Sequence, residues 1–290
     1  MIKSDNNSKA IVSSVGIIGC GWLGKPLALN LKNKSISVLA TSSQQCNVEK
    51  LREQGIDAQQ LVLPSTTEQL VQHDVFTQQC LVIAITPQFK KGRTDYGVKV
   101  DQLIDAAVKV GVVQRIILLS STSVYQGLEG GVDENTPLNS VELKSMGKAT
   151  ILNAAEQSVL NFHLQGTVLR LAGLVGPERH PGKFLLAKRT LKDATTPVNL
   201  IHQQDAVGLI LSLLTSSSPK GIFNGVSDTH VSKATYYKAA AKSLGLELPI
   251  FDKEKVLNST RIVNGDKAKQ QLGYTFVFPD LLAWLNTRFT

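Results

Sequence analysis

No stretch of this 290-residue sequence approaches the roughly 18–20 consecutive apolar residues needed to span a bilayer. Residues 1–10 also carry no apolar core of the kind a secretory leader requires. A cytoplasmic protein with no membrane partner is therefore expected. Cysteine is scarce: Cys20, Cys46 and Cys80 are odd in number and lack paired spacing, which argues against a disulfide framework or a zinc site. Reduced thiols and no metal are expected. Aromatic residues make up only 6%, and although the formal charge is +8, the basic residues do not cluster. Short groups such as Lys90-Lys91-Gly92-Arg93 and Lys188-Arg189 stand apart, with no aromatic side chains interleaved as a base-stacking platform would need, so no nucleic-acid partner is expected.

What is present is the composition of a globular chain, 42% hydrophobic and 19% charged. Val12 to Gly19 is apolar and rich in β-branched residues, and after a glycine cluster Pro26 to Leu31 opens a helical pattern. Ile36 to Thr41 reads as a second strand and Val48 to Gln54 as a helix stopped by Gly55. Leu81 to Ile85 is a continuous apolar run, as expected of a strand buried on both faces, and Val98 to Val110 is a helix closed by Gly111. Ile116 to Leu119, Gly166 to Leu171 and Gly221 to Asn224 read as further strands, with helices near Lys148 to Leu160 and Asp205 to Thr215. This alternation predicts an α/β fold with a Rossmann-type, doubly wound parallel sheet. Its domain is expected over residues 11–173, with a returning strand and helix near 199–224. Residues 174–290 are expected to form a smaller, interleaved substrate lobe. Ser216-Ser217-Ser218-Pro219 reads as a turn.

Gly19-Cys20-Gly21-Trp22-Leu23-Gly24 matches G-x-G-x-x-G between a predicted strand and a predicted helix. Gly19 permits the tight turn, Gly21 lets the backbone approach a pyrophosphate, and Gly24 lets helix and strand pack closely. The helix N-terminus would then face the phosphate. The alternative is a glycine turn with no ligand. Enzymes that use NAD commonly place Asp or Glu at the end of the second strand to accept from the ribose 2′-OH. Here the place reads Thr41-Ser42-Ser43-Gln44, and no acid appears until Glu49. This favours NADP over NAD, with the Ser42 and Ser43 hydroxyls as donors to a 2′-phosphate, although the arginine often used there is missing too. Ser42 and Ser43 could equally just begin a loop. Ala84-Ile85-Thr86 and Leu119-Ser120, at the ends of central strands, complete the expected cofactor contacts.

Leu119-Ser120-Ser121-Thr122-Ser123-Val124-Tyr125 closes a central strand, where open α/β sheets collect ligand-binding residues. With Arg170-Leu171-Ala172-Gly173-Leu174-Val175-Gly176-Pro177, Arg179-His180-Pro181-Gly182, Asn199 to Asp205, Phe223 to Asp228 and Leu272-Gly273-Tyr274, the sequence resembles the extended short-chain dehydrogenase/reductase family of epimerases, dehydratases and reductases, and within it an atypical YeeZ-like subgroup. The resemblance covers nearly the whole chain. It implies a hydride-transfer site in which a Ser or Thr and a Tyr-x-x-x-Lys pair polarise the reacting oxygen. Ser121 matches the family serine, Thr122 stands beside it, and Lys148 falls near the family lysine. The tyrosine has no match: no tyrosine occurs between Tyr125 and Tyr236, and Lys144 stands near its place. That tyrosine is the general acid/base, and a lysine cannot simply replace it. Lys144 and Lys148 read equally well as a solvated i, i+4 pair. The glycine loop departs as well, since family members commonly show G-x-x-G-x-x-G and the first position here is Ile18.

By the same resemblance Arg179, His180, His202 and Arg261 are candidates for contacting the substrate, a small molecule that an arginine would suit if it is anionic. A lone loop histidine such as His180 is more often exposed, His202 also reads as structural, and Asp205 reads as a helix cap. A homodimer through a helix pair is common in the family. Two functions are consistent with these residues: an NAD(P)-dependent oxidoreductase or epimerase/dehydratase-like enzyme on a polar small molecule such as a nucleotide sugar, and a non-catalytic dinucleotide sensor or scaffold.

Overall fold

The computed structural model describes residues 12–138, 147–187, 190–217, 219–252 and 259–287. Lys144, the Lys188-Arg189 pair and Ser218 lie outside them. In chain order the strands are β1 (Ser14–Ile18), β2 (Ser37–Ser42), β3 (Ala58–Gln60), β4 (Cys80–Ile83), β5 (Arg115–Ser121), β6 (Gly131–Val132), β7 (Gln165–Leu171), β8 (Gly173–Val175), β9 (Thr190–Leu191), β10 (Leu200–His202), β11 (Gly221–Gly225), β12 (Ile250–Phe251) and β13 (Ile262–Val263). The helices are α1 (Gly24–Asn33), α2 (Gln45–Glu53), α3 (Thr67–Val71), α4 (Tyr96–Val110), α5 (Lys148–Leu160), α6 (Lys183–Ala187), α7 (Gln203–Thr215), α8 (Lys233–Ser243), α9 (Asp266–Leu272) and α10 (Leu281–Leu285).

Seven strands form one parallel sheet in the order β11-β7-β5-β4-β1-β2-β3, the doubly wound arrangement expected from the alternating pattern. The order reverses between β1 and β4, the kind of switch point at whose carboxyl ends open α/β sheets bind ligands. β1 and β4 are buried almost throughout, which is why both read as unbroken apolar runs. α4 buries Tyr96, Val100, Leu103, Ile104 and Ala107 on one stripe and ends at Gly111, whose left-handed backbone (φ +73°) directs its N–H to the Ala107 carbonyl.

The chain divides into two compact units. The first comprises Met1–Ser120, Ile151–Leu169 and Leu209–Ile222, and the second Ser121–Thr150, Arg170–Gly208 and Phe223–Thr290. In the first, Gly166 passes so close to the end of α5 that a Cβ there would lie 1.8 Å from the Val159 carbonyl oxygen. Buried Arg115 closes the C-terminus of α7, donating from Nη1 to the carbonyls of Leu213 and Leu214, each at 2.9 Å. The core of the second unit gathers Val175, Val198, Tyr236, Ala240, Leu281, Trp284 and Leu285. Asp205 is not a cap of its helix. Its buried carboxylate accepts from the Tyr274 hydroxyl at 2.9 Å and from the N–H groups of Val277 (2.7 Å) and Phe278 (3.0 Å), tying down the segment that leads into α10.

Candidate active site

The glycine loop begins where β1 ends. Gly19 has φ +88°, a conformation that residues with a side chain rarely adopt, and a Cβ on it would lie 3.0 Å from the Ile85 nitrogen and 3.1 Å from the Ala84 carbonyl carbon. The loop after β4 thus presses on the loop after β1, which brings Ala84 and Ile85 together with the glycines. Thr41, buried at the end of β2, fixes the same turn: its Oγ1 accepts from the Gly19 N–H at 3.2 Å, and its carbonyl accepts from the Cys20 N–H at 2.7 Å.

Gly21 differs from its neighbours. It is exposed, and a Cβ built on it meets nothing within 4 Å. Packing therefore does not require glycine there, whereas close approach of a phosphate to the backbone would. Gly24 packs tightly, its absent Cβ facing the Cys20 sulfur at 3.2 Å and Ile17 at 3.3 Å. α1 starts at Gly24 with no side-chain cap and no acid in its first turn. Its N-terminal dipole end is left for an anion. Trp22 is half-buried and Leu23 buried, and burial pushes the Cys20 thiol up to about 12, with Lys25 opposing weakly. The loop fits a dinucleotide pyrophosphate.

At the end of β2 the Ser42 hydroxyl accepts weakly from the Gln44 N–H (3.4 Å), and Ser43 is exposed, its carbonyl accepting from Gln60 Nε2 at 3.0 Å. α2 has no acid in its first turn, and the Glu49 carboxylate accepts from Gln45 one turn earlier. Thr86 is exposed beyond β4.

β5 ends in two serines with different surroundings. Leu119 is half-buried before them, and the Ser120 hydroxyl points inward, donating to the fully buried Glu156 carboxylate on α5 at 2.5 Å. Ser121 is half-buried and opens a 3-10 turn over Thr122–Tyr125. Its Oγ accepts from the Ser123 N–H at 3.1 Å and lies 3.0 Å from the Ser123 hydroxyl. Thr122 is buried. Tyr125 is fully buried and is no substitute for the missing tyrosine: its hydroxyl is held by Arg170 and Asn224, and burial pushes the phenol up. Lys148 is exposed at the start of α5.

The substrate candidates lie in the second unit. Arg179 is exposed on a turn in which its N–H donates to the Gly176 carbonyl at 3.0 Å. His180 is buried, contrary to the usual exposure of a loop histidine. Its Nδ1 accepts from the Gly182 N–H at 3.1 Å, which leaves Nε2 to donate to Ser243 Oγ at 3.3 Å, while the Ser243 hydroxyl donates to the Ala240 carbonyl. Burial pushes this ring's pKa down, with Lys183 adding to the effect. His202 is also buried. Its Nδ1 accepts from the Gln204 N–H at 3.2 Å, and the ring packs against Phe278 and Trp284 with centroids 4.0 and 5.0 Å away. Desolvation pushes it down to about 4. Arg261 is half-buried and donates to the Tyr125 carbonyl at 2.7 Å. Sequence reasoning missed Glu156, Asn224 and Glu134, whose partners lie 36 to 99 residues away along the chain. Among the described residues no group of His, Cys, Asp or Glu side chains is placed to hold a metal ion, and no helix is long and apolar enough to cross a membrane.

Residues 15–224 match the model of the NAD dependent epimerase/dehydratase family. Protein YeeZ of Escherichia coli strain K12 is 36% identical over 279 residues, covering 93% of this chain and 98% of that protein. The solved structure of MoeE5 in complex with UDP-glucose and NAD is 20% identical with a TM-score of 0.74, covering 95% of this chain and 97% of that one. Human epimerase family protein SDR39U1 with NADPH is 17% identical with a TM-score of 0.73, covering 95% and 98%. These two structures share the fold, while the family match and the YeeZ identity agree with the glycine loop, the serine turn and the seven-stranded sheet, so the chain belongs to the NAD-dependent epimerase/dehydratase family.

Proposed function

We propose that this protein is a nicotinamide-dinucleotide-dependent oxidoreductase or epimerase/dehydratase-like enzyme acting on a polar small molecule such as a nucleotide sugar, with NADP favoured over NAD. The observation that carries the reading is Gly21, exposed with open space where a Cβ would be, on a loop leading into an uncapped helix. A glycine that packing does not need is explained by a ligand that needs the backbone bare. The preference for NADP rests on the lack of a carboxylate at the end of β2, with Ser42 and Ser43 as donors to the 2′-phosphate. MoeE5 was solved with NAD and the human neighbour with NADPH, so this fold is found with either cofactor.

The dinucleotide, when bound, supplies the hydride chemistry. Ser121 and Thr122 polarise the reacting oxygen through their hydroxyls, and Lys148 supplies the cation that the family places beside its tyrosine. A second reading, a non-catalytic dinucleotide sensor, is favoured by one observation: no tyrosine occurs between Tyr125 and Tyr236.

Thermal unfolding with NAD⁺, NADH, NADP⁺ and NADPH tests the cofactor claim, because a ligand bound only by the folded state raises the midpoint, by about 2.7 kcal/mol of stability at a hundredfold excess over Kd. The expected result is a rise with the NADP pair larger than with the NAD pair; no rise with any of the four sinks the proposal. Bleaching of NADPH absorbance across a panel of carbonyl compounds, lost in Ser121→Ala, then separates the enzyme from the sensor, which binds without turnover.

A further inference from the structure

The turn that carries Ser121 and Thr122 is held at its far end, Tyr125, by residues from remote parts of the chain, all within the second unit. The Tyr125 hydroxyl donates to Asn224 Oδ1 at 3.0 Å and accepts from Arg170 Nη1 at 2.8 Å. Asn224 is itself fixed, its N–H donating to Glu134 Oε1 at 2.6 Å and its side-chain amide to the Asn264 carbonyl at 2.9 Å. The Tyr125 carbonyl oxygen accepts twice, from the Leu128 N–H at 3.1 Å and from Arg261 Nη1 at 2.7 Å.

The two attachments differ in what they hold. The hydroxyl network fixes the ring, at the end of a side chain. The Arg261 bond fixes the backbone, at the last peptide of a turn whose first residue is Ser121 and whose interior bonds run from Ser123 N–H to Ser121 Oγ and from Gln126 N–H to the Ser123 carbonyl. A guanidinium donor makes that bond charge-assisted and so stronger than its neutral neighbours. Arg261 is anchored in turn. Its carbonyl accepts from Asn199 Nδ2 at 3.1 Å, and the following residue enters the β13–β6 ladder. Its Nε is buried with no partner among the described residues. Leaving that donor unmet is unfavourable, and the orientation that does so is the one that brings Nη1 to the Tyr125 carbonyl.

We infer that Arg261 is a positioning residue, whose guanidinium sets the Ser121–Tyr125 turn through the Tyr125 carbonyl. The inference rests on the reading of Ser121 and Thr122 as the pair that polarises the reacting oxygen, and supplies the rigidity that such a pair requires.

Residue-resolved amide hydrogen exchange on the full chain, without nucleotide, tests it in wild type, Arg261→Ala and Arg261→Lys. The expected result is exchange about tenfold faster at Gln126 and Leu128 in Arg261→Ala, with the Asn264 and Leu281 amides unchanged, and recovery of most of the protection in Arg261→Lys, which restores one cationic donor. Unchanged exchange at Gln126 and Leu128 overturns the inference. So does an equal rise at Asn264 and Leu281, which would make Arg261 a general support of the unit. Should Arg261→Ala fail to fold, Arg261→Gln, a neutral donor of shorter reach, replaces it under the same comparison. Because no nucleotide enters the measurement, this result stands or falls separately from the thermal shifts that test the proposed function.

Discussion

The Tyr274 hydroxyl donates to the Asp205 carboxylate at 2.9 Å, and the ring that carries it lies where a side chain on Gly208 would be: a Cβ there would fall 2.2 Å from the hydroxyl oxygen and 2.5 Å from the ring. Gly208→Ala must push Tyr274 away and break its bond to Asp205, at a cost of about 1–3 kcal/mol. Tyr274→Phe keeps the packing and removes one of three donors to a buried carboxylate, costing about 1–2 kcal/mol. Urea unfolding midpoints check both, and an alanine at 208 as stable as wild type would refute the packing argument.

The glycine loop separates packing from binding. Gly21→Ala meets open space and is expected to leave the unfolding midpoint within about 0.5 kcal/mol of wild type while abolishing any nucleotide-induced rise. Gly19→Ala forces a side chain onto φ +88° against the Ala84-Ile85 peptide and is expected to destabilise the free protein by about 1–3 kcal/mol. Thermal unfolding of the two variants with and without NADPH distinguishes these outcomes.

Ser120 and Ser121 are adjacent and should fail differently. Ser120→Ala strips a hydrogen bond from the buried Glu156 carboxylate and is expected to cost about 1–3 kcal/mol of stability. Ser121→Ala removes only the cap of a short turn, so its effect should fall on turnover, not on the unfolding midpoint. Equal loss of stability in both would contradict the assignment.

Acid should weaken the fold before its carboxylates titrate. His202 is held neutral by burial, at about 4 against 6.5 in the unfolded chain, so between these values the unfolded state binds more protons and stability falls as pH falls. His202 alone contributes on the order of 3 kcal/mol across the window, and His180 and His230, also pushed down by burial, act in the same direction. Urea midpoints at pH 7, 5.5 and 4.5 should decline, less steeply in His202→Gln; a profile unchanged by that substitution would show that His202 is not the titrating group.

Thiol labelling offers a check on the loop. Cys46 is exposed, whereas burial pushes the Cys20 and Cys80 thiols up to about 12 and about 11. A thiol reagent at pH 8 should modify one cysteine of three in the folded protein and all three in denaturant.

The sheet and the cofactor loop were legible because their signals are local. The apolar run of β4, the stripe of α4 and the order of glycines between strand and helix each fall within about 15 residues. β3, Ala58–Gln60, has no apolar alternation to announce it and exists by pairing with β2. The setting of the serine turn was hidden for another reason. Tyr125 meets Asn224 and Arg261 across 99 and 136 residues, and nothing in their spacing marks them as partners. His180 and His202 carried a substrate expectation by position, yet burial beside Trp284 engages their Nδ1 atoms within the unit, which no sequence pattern reveals. The Tyr274 ring that excludes a side chain at position 208 is equally silent at the level of sequence.

The chain passes from one compact unit to the other at 120, 150, 169, 208 and 222. No single cut separates one unit from the other, because each is assembled from segments that alternate along the chain. Exchanging either unit for another would take several coordinated joins, whereas substitution and loop variation act within the shared frame that carries both the glycine loop and the serine turn.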